Sequence, residues 1–436
     1  MEEMVDVEDD EEVRRIRKIS SLKRESRRLR NSASFQLGFH LTEAIRKPWR
    51  LLILPFSFPM LCLIIGLRRI GRITLPTAGL ELDYDIQPRK NALILFPTNG
   101  VGFGHFTRMY SVAREMRKQD PNMEIIFFTT MPTLHIPYLD NFATYHLSGR
   151  YKHRDMNSST WNMIVEEMLT IVLETHNPKY FIFDGAFPYR GMLNSIYGRN
   201  EIYKIWMRRG MFRKGSKIPV DSIDYFDLIV HPGDAIDIED SDLNHSVSTL
   251  KIPPITLMND DELLSRQQSR GRLNLPLDSS VTYVQLGAGQ INEIDSEIRM
   301  TIDALLQHHN MHIVLGESML GKRFDFSDER VHLLRDYPNS IYFNAFDYAV
   351  QAGGYNSFHE MRSLGIPTLF FPNMNTGMDD QLARCRIAED EKWGIVLEKR
   401  NEHTVKSSIE KLIAMPEIEK STTQSGGSVL AEYLRR

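Results

Sequence analysis

The chain has 436 residues, too many for one ordinary hydrophobic core, so two packed domains with extensions are expected. Its formal net charge of -4 argues against a general nucleic-acid binder. Only Cys62 and Cys385 occur, which excludes a disulfide framework and fits a reducing, cytoplasmic compartment.

In chain order, an acidic head, "MEEMVDVEDDEE", is followed by the basic run "RRIRKISSLKRESRRLR". Val13, Ile16, Ile19 and Leu22 recur every third residue there, the stripe of a helix with one narrow apolar face. No cleavable signal peptide is read, because the first apolar stretch comes late and behind acidic residues. That stretch runs from Leu51 to Leu67, close to the lower limit of about 17 residues for crossing a bilayer. Pro55 and Pro59 are expected to interrupt it, since each removes a helix hydrogen bond. With Trp49 at one edge and basic residues on both sides, residues 13–70 read as an anchor lying on the inner membrane surface. A hairpin packed on the body and a true transmembrane helix are the second and third readings. The extension is bounded at 1–80. "DYD" at Asp83 to Asp85 mimics a metal-binding DxD motif but precedes the first strand of the body, so it reads as linker.

From Asn91 the pattern becomes short apolar runs alternating with amphipathic helices. "ALILFP", "EIIFFTT", "YFIFDG" and "DLIVHPG" suit parallel strands buried on both faces. Residues 90–255 thus form a doubly wound, Rossmann-like half. Its first strand runs into "NGVGFGHFTR", in which Gly100, Gly102 and Gly104 alternate ahead of His105 and Arg108. Bare backbone at a strand-to-helix turn admits a substrate closely, and the helix N-terminus favours negative charge. His105, at the carboxyl edge of the sheet, can take a proton from an attacking hydroxyl; a capping or loop histidine without chemistry is the alternative. No Gly-Lys-Ser/Thr follows, so this is not the phosphate loop of a kinase or ATPase.

A polar connection, roughly Thr256 to Ser280, leads to a second strand series over residues 278–415. "VTYVQLGAGQIN" ends its strand with Gly287 and Gly289, another phosphate-compatible turn. Further on, a strand ends at Gly353-Gly354 and a helix is expected to begin near Asn356 or Ser357, whose amides can hold a diphosphate. Glu360, one turn in, can accept both hydroxyls of a ribose. Ser357 to Glu360 also fits an ordinary capping box. Asp379, Asp380 and Gln381 follow the next strand and loop and suit either sugar hydroxyls or a helix start. Residues 416–436 complete the chain as a C-terminal helix.

Two motifs, "GVGFGHFTR" and "GGYNSFHEMRSLGIPTLFFPN…DDQLAR", resemble GT-B glycosyltransferases. The likeness is to family 28, the group around the lipid-linked N-acetylglucosaminyltransferase of peptidoglycan synthesis, and to the UDP-glucuronosyltransferases. It covers Asn91 to the C-terminus. "SASFQLGFHLTEAIRKPWRLL" also looks like the leader before bacterial polysaccharide glycosyltransferases. The resemblance implies an α/β GT-B fold, two Rossmann-like domains facing across a cleft. It implies that Gly353 and Gly354 hold the UDP diphosphate, that Glu360 binds the ribose, and that Asp380 and Gln381 bind the donor sugar. His105 would then be the acceptor-side base and Arg108 its support. The family's Asn-Ala after the Asp-Gln pair is replaced by Ala383-Arg384, and Phe103 stands where peptidoglycan enzymes have glycine, so donor sugar and acceptor stay open.

The expected activity is inverting transfer of N-acetylglucosamine or a related hexose from a UDP-sugar to a lipid-linked or polysaccharide acceptor. No cofactor and no metal are expected, because one base and the helix N-termini suffice for the charges that develop. A UDP-sugar 2-epimerase shares the architecture but leaves the basic, apolar leader without a purpose. A non-catalytic scaffold leaves His105, Glu360 and Asp380-Gln381 unexplained.

Overall fold

The computed structural model describes residues 32–69, 91–98, 103–150, 156–208, 220–236, 247–287, 294–317, 324–374 and 379–435. The basic stripe before residue 32, Asp83 to Asp85, Gly102 and Gly289 lie outside them. The chain forms two compact units, residues 1–82 and 83–436.

In the first unit, Ser32 caps α1 (Ala33–Arg46) by accepting a hydrogen bond from the Phe35 amide. Lys47 and Pro48 turn the chain into α2 (Trp49–Arg69). His40 Nε2 lies 2.9 Å from Ser57 Oγ, and Arg50 donates to Glu43 at 3.3 Å, tying the two helices into a hairpin. Contrary to the sequence expectation, α2 passes through Pro55 and Pro59 unbroken. Four residues apart, the prolines leave only the Leu51 and Pro55 carbonyls without their donors, both on one face, while the remaining ladder continues. Large apolar side chains of α2 are exposed, Leu52 and Phe56 each at 80%. Among the described residues one segment, Trp49–Leu67, is long and apolar enough to cross a membrane.

The second unit contains two parallel sheets in series. The first is built from β1 (Ala92–Pro97), α3 (Gly104–Gln119), β2 (Glu124–Thr129), α4 (His135–Leu139), β3 (Ala143–His146), α5 (Ser158–His176), β4 (Tyr180–Asp184), α6 (Arg190–Ile196), β5 (Tyr203–Met207), β6 (Leu228–Pro232) and β7 (Ser248–Ile252). Its strand order is 3-2-1-4-5-6-7. The alternation along β1 explains why both faces are covered. Leu93 and Leu95 enter the core under α3, and Ala92, Ile94 and Phe96 enter the core under α5 and α6.

The second sheet repeats this plan. After α7 (Arg266–Arg272) come β8 (Ser280–Gln285), α8 (Asp295–Leu305), β9 (Met311–Gly316), β10 (Val331–Leu334), β11 (Tyr348–Gln351), α9 (Tyr355–Leu364), β12 (Thr368–Phe370), α10 (Gln381–Asp390), β13 (Gly394–Val396) and α11 (Glu402–Ile413). The order is 10-9-8-11-12-13. In both sheets the strand order reverses beside the first strand, between β1 and β4 and between β8 and β11, the place where such sheets bind ligands.

The polar connection between the halves is more ordered than its composition suggests. α7 carries Arg270, fully buried, whose guanidinium donates to the carbonyls of Ala345, Pro276, Leu277 and Ser279 and to the Asp347 carboxylate. The last helix, α12 (Gly426–Arg435), returns to the first sheet rather than staying with the second. Leu430, Ala431 and Leu434 join the core under α3, and Tyr180 Oη donates to the Leu434 carbonyl at 2.6 Å. The end of the chain therefore clamps the beginning of the body. Leu430 is fully buried. Leu430→Ala is expected to cost about 2–5 kcal/mol through lost apolar contact and residual cavity, read as a lowered midpoint in denaturant unfolding.

Candidate functional site

β1 and β4 deliver the first group of site residues to the reversal point of the first sheet. His105 is the second residue of α3, and Asp184 is the last of β4. His105 Nδ1 lies 2.8 Å from Asp184 Oδ1. In the tautomer that donates Nδ1–H to Asp184, whose carboxylate only accepts, the basic lone pair is that of Nε2. Arg108, one turn along α3, donates from Nε to Asp184 Oδ2 and from Nη2 to Oδ1, both at 3.0 Å. Its Nη2 is also 2.8 Å from His105 Nδ1, a contact between two donors that the shared carboxylate offsets.

Arg108 and Asp184 are almost completely buried, at 2% and 1% exposure. Burial alone would raise the Asp184 carboxyl and lower the Arg108 guanidinium, but each charge holds the other. The net result is a carboxyl below its usual range and a guanidinium above its own. His105 is thus not a helix cap: the residue before α3 is Phe103, and no side chain caps that end.

The second group lies at the reversal point of the second sheet. Gly287, just after β8, has φ +104°, a backbone region that disfavours any side chain. A Cβ on Gly353 would collide with Cys385 Sγ, whereas Gly354 borders open space. α9 starts at Tyr355, earlier than the sequence pattern indicates, with Gly354 as its N-cap and no capping side chain. Ser357 is therefore inside the first turn, and the capping box with Glu360 does not form. The first amides of α9 stay available to an anion, with the positive end of the helix dipole behind them. Two buried acceptors at this edge, Gln351 Oε1 and Asn356 Oδ1, have no hydrogen-bond partner. Asn356 Nδ2 donates to the Gly104 carbonyl at 3.3 Å, so the glycine turn of the first half and the helix start of the second meet.

Glu360 is half-buried, and desolvation pushes its carboxyl up to about 8, against a smaller lowering effect of the Leu257 backbone. Asp380 does what a helix starter does, accepting from the Ala383 amide at 3.1 Å as the cap of α10. Gln381 Oε1 accepts from the Asn373 amide at 2.9 Å, fixing the loop after β12.

Several residues that sequence reasoning passed over complete the arrangement. Asp184 was visible only as the acid closing "YFIFDG". Asp234, in the "HPGD" turn after β6, takes both arms of Arg384 from α10 at 2.8 Å, with His359 Nε2 at 3.2 Å. Arg384 also donates to Asp379 Oδ1 at 2.6 Å and to the Gly353 carbonyl at 2.9 Å. Burial would raise the Asp234 carboxyl, yet Arg384 and His359 hold it far below the usual carboxylate range. Tyr355 donates to the Gly233 carbonyl at 2.8 Å and accepts from the Ile255 amide at 3.2 Å. Its ring lies 5.3 Å from the Arg108 guanidinium and 5.8 Å from that of Arg384.

Two Rossmann-like sheets whose ligand-binding edges meet through such contacts define the GT-B fold. Among solved structures, the chain is similar to the glycosyltransferase of kitacinnamycin at 13% identity and a TM-score of 0.54, covering 80% of this chain and 94% of that one. It is similar to spinosyn forosaminyltransferase at 11% identity and a TM-score of 0.52, covering 79% and 93%. UDP-GlcNAc 2-epimerase from Methanocaldococcus jannaschii is matched at 12% identity and a TM-score of 0.52, covering 79% and 99%. No protein-family model matches the sequence, and no curated protein matches it either. These likenesses establish a GT-B fold, which glycosyltransferases and a nucleotide-sugar epimerase both use.

The raised Glu360 carboxyl has a pH consequence. Folding takes up a proton between its ordinary value of 4.5 and about 8, so its favourable contribution is complete below 4.5 and is lost as pH rises through 8. Melting temperatures of Glu360→Gln and the native protein, measured from pH 5 to 9, are expected to diverge with rising pH in favour of the variant.

Proposed function

We propose that the protein transfers a sugar from a UDP-sugar to an acceptor hydroxyl with inversion at the anomeric carbon. The observation that carries this reading is the His105–Asp184–Arg108 cluster facing an uncapped helix N-terminus across the junction of the halves. His105 Nε2 removes the acceptor proton, and the acceptor oxygen attacks the anomeric carbon. The bond to the UDP oxygen breaks, and the electron pair leaves with the diphosphate onto the first amides of α9. Asp184 steadies the imidazolium through Nδ1. Arg108 keeps Asp184 ionised and oriented. Glu360 meets the ribose, whose hydroxyls supply the donors that its carboxylate accepts. The scheme uses neither a metal nor a cofactor.

The acceptor is proposed to be lipid-linked or polymeric, reached at the inner membrane face. The support is the exposed apolar hairpin of α1 and α2, with Arg46, Lys47, Arg50 and Trp49 at its turn, a composition suited to an anionic interface.

Calorimetric titration of the full chain with UDP, ADP, GDP and CMP tests the donor side. UDP is expected to bind selectively and to weaken about tenfold or more in Glu360→Gln, a change that spares the fold because glutamine keeps the shape of the side chain and buries no charge. A folded protein that binds none of the four nucleotides would sink the transferase reading. Conversion of free UDP-N-acetylglucosamine to its 2-epimer without UDP release would favour the epimerase instead.

A further inference from the structure

In a water-soluble helical hairpin the apolar residues fill the seam and the polar ones face out. The hairpin of α1 and α2 is built the other way round. Polar pairs tie its seam, His40 Nε2 with Ser57 Oγ at 2.9 Å and Arg50 with Glu43 at 3.3 Å. On α2, Leu54, Ser57 and Leu61 are half-buried. Leu52, Phe56, Met60 and Leu63, three or four residues apart, form one stripe on the opposite side, between 56% and 80% exposed. At the turn, Glu43 gathers three cations, Lys47 at 3.1 Å, Arg50 at 3.3 Å and Arg46 at 3.9 Å. The Arg50 guanidinium also lies 5.4 Å from the centre of the Trp49 ring. Three cations on one carboxylate leave positive charge over for lipid phosphates, beside an indole suited to the membrane boundary.

Apolar surface outside and bonded polar groups inside are what hydrocarbon requires of a helix pair. Length and charge then fix how the pair lies. With 14 residues, α1 is about 21 Å long, short of a hydrocarbon thickness of about 30 Å. A turn-first entry would carry the three cations into the bilayer, where charge is costly. α2 could span by itself only by leaving α1, which would strip both polar pairs inside the membrane.

We propose that the hairpin is an in-plane anchor held in one leaflet of an anionic bilayer. α2 lies in the upper acyl region with its stripe downward, α1 lies between it and the water, and Arg46, Lys47 and Arg50 meet lipid phosphates. The polar pairs hold the two helices as a preformed unit, so little ordering entropy opposes insertion. The chain stays on one side of the membrane before and after the hairpin. This inference deepens the membrane-face part of the reading above and rests on it, but it is independent of the donor chemistry.

The test sediments the full chain with vesicles of phosphatidylcholine, with and without phosphatidylglycerol. The native protein is expected to bind both, and more tightly when phosphatidylglycerol is present. Leu52→Ser combined with Phe56→Ser should weaken binding to both by about tenfold or more, because two inserted apolar side chains are lost. Arg46→Gln combined with Lys47→Gln should weaken binding to the anionic vesicles alone, by about tenfold or more. Depth is read from a fluorophore on Cys62, which is exposed on α2, whereas Cys385 is buried. Spin labels near the lipid glycerol are expected to quench it more than labels at the chain end. The reverse order means that α2 spans, and it overturns the in-plane anchor. So does unchanged binding in the Leu52 and Phe56 variant, or no binding of the native protein to either vesicle. Self-association that the same variant abolishes would assign the stripe to a second copy of the chain instead. Should that variant misfold, the Cys62 measurement decides, since it keeps the hairpin sequence native. Titration of the same protein with UDP separates the two readings. UDP binding without vesicle binding removes the anchor alone, and vesicle binding without UDP binding removes the transferase alone.

Discussion

A guanidinium buried away from water must be met by an anion, and the site is organised around two of them, Arg108 and Arg384. Each has a carboxylate whose own burial would otherwise neutralise it: Asp184 at the end of β4 and Asp234 in the turn after β6. Removing Asp184 would leave the Arg108 charge in a dry interior, a loss of about 3–5 kcal/mol. That requirement fixes α3 against β4 and α10 against the first half. Tyr355 lies between the two cations, with its hydroxyl bonded to backbone of the first half. The helix start proposed to hold the diphosphate is therefore held in place by the same charges that orient the proposed base.

The two sheets explain why those charges coincide. Each uses the same strand order and reverses direction beside its first strand, so each opens a crevice at its carboxyl edge. The polar connection pinned by Arg270 and the returning helix α12 close the chain around the junction. Backbone of the first half, at Gly104 and Gly233, then becomes a hydrogen-bonding partner for side chains of the second, Asn356 and Tyr355. The hairpin of the N-terminal unit follows a different logic. Among the described residues its large apolar side chains, such as Leu52 and Phe56, stay exposed, and the helix tolerates two prolines because their lost bonds fall on one face.

Much of the fold was written in the sequence. Runs such as "ALILFP" and "YFIFDG", apolar on both pleat faces, specify parallel strands under two helical layers, because only a doubly covered strand needs oil on both sides. The glycines that end β8 and β11 were legible for a local reason as well. At Gly353 a Cβ would meet the Cys385 sulfur, and Gly287 adopts a φ of +104°, so at those two positions the backbone has to be bare. What depends on distance along the chain was not legible. Asp184 lies 79 residues from His105 and Asp234 lies 150 from Arg384, and no local pattern pairs them. Ser357 and Glu360 illustrate the converse. Their spacing satisfies a capping rule, but strand β11 and its glycines start the helix earlier and leave the box unformed. By itself the sequence determined the secondary elements and the bare turns, which arise from side-chain period and backbone sterics. Tertiary structure alone decided which acid meets which base, because burial and proximity are properties of the folded chain.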